Sequence, residues 1–217
     1  MQPLPFVRQL PSATGTPVAV SVAEVPTPMR QSSRCRRWME LVHDGFIRPD
    51  PGRVDRNWDW RWQIPLITFG GGLVRRPRMF QLCRASDAFP LGMLALLENE
   101  RSINDHAQSA VYVWYLTGAP DNAVRDRGAP KGITTAVLDI AVTLSLNGPA
   151  QGRLWLHAHP VGGERLLDWY RSRGLASVPP DTILPGPAIV GRPNDGRYLH
   201  LDEAGALEVS HRLAGWR

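Results

Sequence analysis

The segment Arg125 to Thr135, R-D-R-G-A-P-K-G-I-T-T, sets glycines and cations where an apolar strand pattern gives way to a helical one. Glycines at such a junction let backbone N–H groups converge on one point, and a helix N-terminus adds about half a positive charge there. A pyrophosphate suits that arrangement. Arg125, Arg127 and Lys131 would supply charge, and Thr134 and Thr135 would supply hydroxyls. A plain helix start has the same composition, so the segment alone leaves both readings open. A second candidate is N-W-D-W-R-W, Asn57 to Trp62. In an extended chain Trp58, Trp60 and Trp62 share one face and Asp59 and Arg61 the other. Three indoles can wall a pocket and stack on a base or cation, or lie as a lid on the core. Asp55 and Asp59 beside them would suit an amine. His157 and His159 alternate on one strand pattern, but no third ligand stands nearby, so the expectation is hydrogen-bonded strand-end histidines and no metal. Cys35 and Cys83 lie too far apart in sequence for a CxxC clip and read as two buried thiols of a reducing compartment.

The elements that must position these residues follow from periodicity. Four prolines between Pro3 and Pro17 interrupt any helix, and residues 1–30 read as a flexible N-terminal arm ahead of a domain spanning 31–217. Ser32 and Ser33 precede a helical pattern in which Cys35, Trp38, Met39, Val42 and Phe46 recur at three and four residues. MFQLCRA, GMLALLEN and SAVYVWYLTGA then read as successive antiparallel strands bounded by Pro, Asp, Asn or Gly. ITTAVLDIAVTLSL carries a helical face through Ile133, Val137, Ile140, Ala141 and Leu144 and stops at Asn147-Gly148. RLWLHAH is a further strand and ERLLDWYRSRGL a further helix, followed by a Pro-rich excursion, the strand RYLHL and a last helix. That order is α/β, with a strand that pairs after a helical crossover. No run approaches the 18 apolar residues of a membrane span. The +5 net charge and pI near 9.9 rest on arginine, which suits phosphate, carboxylate or nucleic acid, or simply keeps the surface soluble.

Between Gly92 and Leu175 the order and spacing resemble the GNAT acyltransferase family. YLTGAP followed by R-G-x-x-K-G-I-T is similar to that family's R/Q-x-x-G-x-G/A cofactor loop, lengthened by Ala129 and Pro130 and with Thr134 where a small Gly or Ala is usual. GRLWLHAHP and then GGERLLDWYRSRGL resemble its fifth strand and the helix ending Tyr-x-x-x-Gly-Phe, with Tyr170, Gly174 and Leu175 on the matching positions. The resemblance, centred on residues 77–175, implies an α/β GNAT fold: a mixed, mostly antiparallel sheet flanked by helices. It implies acetyl-CoA as co-substrate, with no metal. The pantetheine arm would enter a gap between the third and fourth long strands, along Tyr112 to Leu116, with Trp114, Tyr115 and Leu116 as contacts. The diphosphate would lie over Arg127, Gly128, Lys131, Gly132, Ile133, Thr134 and Thr135. Tyr170 would be the general acid toward the CoA thiolate. Many members carry a basic carboxylate on the fourth strand, and SAVYVWYLTGA has none, so Glu98 is the first substitute, followed by Glu100, Asp105 and His106. The tryptophan run falls where the family forms its acceptor side, which makes Asp55, Trp58, Asp59, Trp60 and Trp62 the substrate-binding candidates.

The function so implied is transfer of the acetyl group from acetyl-CoA to a primary amine. The acceptor is open among small amines, protein amines and the aminoacyl end of charged tRNA, the last being what basic GNAT toxins act on. The expected setting is cytoplasmic, or delivery into another cell by a specialised secretion machine, with no membrane partner; a homodimer is open. Two rivals stand beside it: a non-catalytic GNAT-like module binding acyl-CoA or a partner, and a basic nucleic-acid binder using arginines and tryptophans together.

Overall fold

A computed structural model describes residues 3–25, 33–41, 53–55, 58, 60, 76–185 and 194–217. Asp59, Trp62, Val42 and Phe46 lie outside the described residues, as does the side chain of Cys35. The strands β1 (Gln9–Leu10), β2 (Val18–Glu24), β3 (Arg76–Arg84), β4 (Pro90–Arg101), β5 (Ser109–Gly118), β6 (Leu154–His157), β7 (Ala176–Ser177) and β8 (Tyr198–Leu201) form one sheet in the order β1-β2-β3-β4-β5-β6-β8-β7. Every neighbouring pair is antiparallel except β5 and β6. That pair is parallel because helix α2 (Ile133–Asn147) carries the chain between them. Helix α1 (Ser33–Glu40) packs on β4; α3 (Gly163–Arg171) and α4 (Glu203–Arg212) follow β6 and β8. The mixed, mostly antiparallel sheet flanked by helices agrees with the fold class read from the sequence.

The burial of each element explains its place. β4 is buried without interruption from Pro90 to Leu97, the mark of a central strand covered on both faces. α2 packs against β4 and β5 and buries ten of its residues, Asp139, Thr143 and Ser145 among them. Trp38 of α1 is fully buried, which is why that helix docks on the sheet. Cys83 is buried, and burial pushes its thiol pKa up, so it is an unreactive thiol. Among the described residues no helix is long and apolar enough to cross a membrane.

The N-terminal segment departs from the expectation. Residues 7–25, read as part of a flexible arm, instead form β1 and β2 and extend the sheet. In V-A-V-S-V-A-E alternate valines turn inward, with Val18 and Val20 buried while Ala19 and Ser21 are exposed, a period of two that pairs with β3. The prolines lie outside the paired stretch, where no ladder N–H is needed.

Arg217 closes the other side. Its guanidinium bonds both carboxylate oxygens of Asp139 at 2.8 and 3.0 Å, and donates to Thr143, Ser210 and the carbonyl of Pro5. Asp139 is fully buried, and desolvation raises its pKa against the lowering pull of Arg217. Removing one member of such a pair strands the other charge, a loss of about 3 kcal/mol or more. Arg217→Ala is therefore expected to lower Tm by at least about 6 °C in a chain of this size, and Asp139→Asn in the same background to recover part of that loss. Equal Tm values by calorimetry for parent and Arg217→Ala would show that the pair contributes nothing.

Candidate functional site

β5 and β6 run side by side for only three register positions, Val111 with Leu154, Tyr112 with Trp155 and Val113 with Leu156. Beyond them β5 continues to Gly118 without a β6 partner, while β6 ends at His157. The cause lies on the other edge of β5. Ala95 pairs with Tyr115 but Leu96 with Val113, so Trp114 is an extra residue, a bulge that bends the strand and sharpens its twist. The two strands part there and open a cavity of about 630 Å³.

Its walls come from four directions. Trp114, Tyr115, Leu116, Thr117 and Gly118 of β5 form one side. Leu156, His157 and His159 stand at the end of β6. Arg165, Leu166, Trp169 and Tyr170 come from α3, and Arg53, Val54, Asp55 and Trp58 from the segment after α1. Thr134 marks where the cavity meets the start of α2. There the first intrahelical bond runs from the N–H of Ala136 to Gly132, so the N–H groups of Ile133, Thr134 and Thr135 precede the ladder. Gly118 permits this approach, because a Cβ on it would stand 2.7 Å from the Thr134 hydroxyl.

Tyr170 is buried, packs edge-on against Trp169 at 5.0 Å, and makes no hydrogen bond through its hydroxyl to another described residue. Burial pushes its pKa well above the ordinary phenol range. The hydroxyl is therefore a protonated donor throughout the neutral range.

The tryptophan run divides. Trp58 lines the cavity, 4.1 Å from the Tyr115 ring and 6.1 Å from His159, whereas Trp60 is fully buried in the core beneath it. Asp55 is buried and taken up: Arg53 forks onto both its oxygens at 2.8 and 2.9 Å, and the Thr117 hydroxyl donates to it. Arg53 also donates to the carbonyl of Gly118, so the pair ties this segment to the end of β5.

The loop before α2 is occupied from outside. The Lys131 N–H donates to the carbonyl of Pro11, the Ala13 N–H to that of Ala129, and the Ser12 hydroxyl to that of Gly128. Arg127 stacks on Phe89 with its guanidinium carbon 4.0 Å from the ring centre. Arg127, Gly128, Lys131 and Gly132 do not line the cavity, and of the loop and helix start only Thr134 does. The cation at the helix start is one that sequence reasoning missed, Arg173, which donates to the Thr135 hydroxyl at 3.4 Å and lies over Trp169. Burial and the neighbouring Arg212 lower its pKa. Its place three residues after Tyr170 was the available signal.

Glu98 also stands apart. It pairs with Arg78 at 2.6 Å, and the same guanidinium reaches Glu24, so Glu98 binds β4 through β3 to β2. The cavity lies toward the opposite end of β4, beside Gly92 to Leu96. His157 donates its Nε2–H to Asp195 at 3.0 Å, and the Val161 N–H donates to His159 Nδ1 at 3.3 Å, as expected of hydrogen-bonded strand-end histidines. No group of metal-ligating side chains occurs among the described residues.

No family model matches the sequence, and no curated protein matches it. Among solved structures the chain is similar to apo FdhC, a nucleotide-linked sugar GNAT, with 11% identity over 98% of this chain and 99% of that one and a TM-score of 0.51. It is also similar to an acetyltransferase from Streptococcus agalactiae 2603, with 14% identity over 83% and 96% and a TM-score of 0.51. At these identities the likeness is one of fold.

Gly132 yields a prediction from its own surroundings. Its φ is +73°, and a Cβ there would meet the Trp216 ring at 2.5 Å. Gly132→Ala is expected to cost about 1–3 kcal/mol, with a change in tryptophan fluorescence as Trp216 is displaced. Parental stability and an unchanged spectrum would show that the helix start does not depend on this contact.

Proposed function

We propose, taking the GNAT fold of this chain as premise, that it transfers the acetyl group of acetyl-CoA to a primary amine. The observation that carries the reading is the parting of β5 and β6 beyond Val113 and Leu156, opening a cavity that reaches the start of α2 and has Tyr170 in its wall. A strand edge without a partner offers backbone groups to an amide-bearing chain, which is what the pantetheine arm is. The N–H groups of Ile133, Thr134 and Thr135, reinforced by Arg173, would receive the diphosphate. Arg127 is drawn onto Phe89, while the backbone of Lys131 is held by the N-terminal segment and its exposed side chain stays beside the helix start. Trp58 and Tyr115 would hold the body of the acceptor. Trp60 and Asp55 support that wall without lining it through a free group.

Acetyl-CoA supplies the thioester. The chain's contribution is to hold amine and carbonyl carbon in line, so that proximity supplies most of the acceleration. As the C–N bond forms and the C–S bond breaks, Tyr170 donates its proton to the departing sulfur; its raised pKa keeps that proton in place until then. A second reading, a module that binds acyl-CoA without turning it over, is favoured by one observation: Glu98, the carboxylate expected as base, is held by Arg78 away from the cavity.

Acetyl-CoA at 100 times its Kd is expected to raise Tm by about 5–10 °C, from about 2.7 kcal/mol of mass action. Arg173→Met should weaken its binding by about tenfold or more in calorimetric titration. Tyr170→Phe should leave that affinity within about twofold and lower kcat at least tenfold. Undiminished kcat in Tyr170→Phe would remove its acid role, and the absence of any acetyl-CoA effect on the parental protein would overturn the reading.

A further inference from the structure

The cavity carries more aromatic surface than a thioester requires. Trp58 and Tyr115 are both half-buried and line it, with ring centres 4.1 Å apart and planes tilted by 54°. Trp60 is fully buried against both, 6.1 Å from Trp58 and 6.0 Å from Tyr115. His159 flanks Trp58 at 6.1 Å. The backbone that carries these rings is anchored by groups of its own. The Trp58 N–H donates to the carbonyl of Asp55 at 3.0 Å, Asp55 is gripped by Arg53 and Thr117, and Arg53 also reaches the Gly118 carbonyl at 3.2 Å. A corner made by two tilted rings suits a third ring, which can lie offset on one and edge-on to the other, the arrangements aromatic quadrupoles favour. Rings already fixed by packing lose little freedom when that third ring enters.

The rest of the site does not claim this corner. The pantetheine arm and its acetyl group contain no ring. Trp169, another half-buried indole of the cavity, lies under the Arg173 guanidinium at 4.5 Å, and Arg173 donates to Thr135 at the helix start. Aromatic faces can also hold a cation, but the charges here oppose a second ammonium. Arg53 and Arg165 both line the cavity. Asp55 and Asp168, its carboxylates among the described residues, are already paired, with Arg53 and Arg171 respectively. A diamine would bring its second charge beside two guanidiniums, whereas a neutral ring meets no such repulsion.

We infer that the acceptor carries its primary amine on an aromatic ring, and that Trp58 and Tyr115 select it by stacking, an inference that rests on the acetyltransferase reading. Trp58 moves no proton in the transfer, so its contribution is to acceptor binding and shows in KM, with kcat left nearly unchanged.

Initial rates at saturating acetyl-CoA test the choice of acceptor on the parental protein, with no variant needed. 2-Phenylethylamine should exceed 2-cyclohexylethylamine, of like size but without a π face, by about threefold or more in kcat/KM. It should exceed 1,6-diaminohexane by about tenfold or more. Trp58→Ala should raise the KM for 2-phenylethylamine at least about tenfold, while kcat and the Kd of acetyl-CoA stay within about twofold. Trp58→Phe keeps a ring and should hold that KM within about threefold of the parental value, which covers the case of an alanine variant that does not fold. A wall with only a structural role would weaken all three amines alike in these variants. Equal kcat/KM for the phenyl and cyclohexyl amines, a preference for the diamine, an unmoved KM in Trp58→Ala, or acetyl-CoA affinity lost with Trp58 would each overturn the inference. So would failure of 2-phenylethylamine to bind the acetyl-CoA-loaded protein in calorimetric titration, with the acetyltransferase reading left intact. Failure of acetyl-CoA itself to bind the parental protein would instead sink that reading.

Discussion

β5 is held by β4 along nearly its whole length and by β6 along only three residues. One extra residue, Trp114, changes the course of β5 just where Val113 makes its last pairing with β6. The site depends on that mismatch. It frees the far half of β5, leaves His157 at the lip of the gap, and points the strand toward the start of α2, where the lack of a side chain at Gly118 allows contact with Thr134. Without the bulge the ladder would continue, and the cavity would be closed by backbone hydrogen bonds.

Charge pairs then fix the pieces that periodicity alone leaves loose. Arg53 and Asp55 fasten the segment carrying Trp58 to the end of β5. Arg78 joins Glu24 and Glu98 across three strands. Arg217 and Asp139 lock α2 to the residues on either side of it. All but the exposed Arg78–Glu24 pair are at least partly buried, so their value lies in the single geometry they enforce more than in net stability, since desolvation offsets much of the attraction. The same economy of geometry places residues 11–13 against the loop of residues 128–131.

Much of this was legible in the sequence. The strands from Met79 to Gly118 and the helix from Ile133 announce themselves by period and by their bounding Pro, Asn and Gly. Tyr170 and Thr134 were placed at the cleft by spacing and resemblance, and both line it. What the sequence hid was non-local. β2 is a single seven-residue strand among prolines, and its alternation gains meaning only when β3 lies beside it. Trp58 and Trp60 look equivalent, and only packing decides that one walls the cavity while the other fills the core. Glu98 looked like an unclaimed strand-end carboxylate because Arg78 lies 20 residues away. His157 and Asp195 are 38 residues apart, joined by a strand pairing that brings β8 beside β6. Charge pairing across a sheet leaves no periodic trace in one sequence, whereas hydrophobic alternation does.

The central claim is that the reach of β5 beyond its pairing with β6 would receive acetyl-CoA through its backbone. Amide hydrogen exchange with and without acetyl-CoA tests it directly, residue by residue. The account predicts slowed exchange within residues 114–118 and at the N–H groups of Ile133, Thr134 and Thr135, with β1 and β2 unchanged. Binding of acetyl-CoA that protects other segments while leaving residues 114–118 as open as before would contradict it.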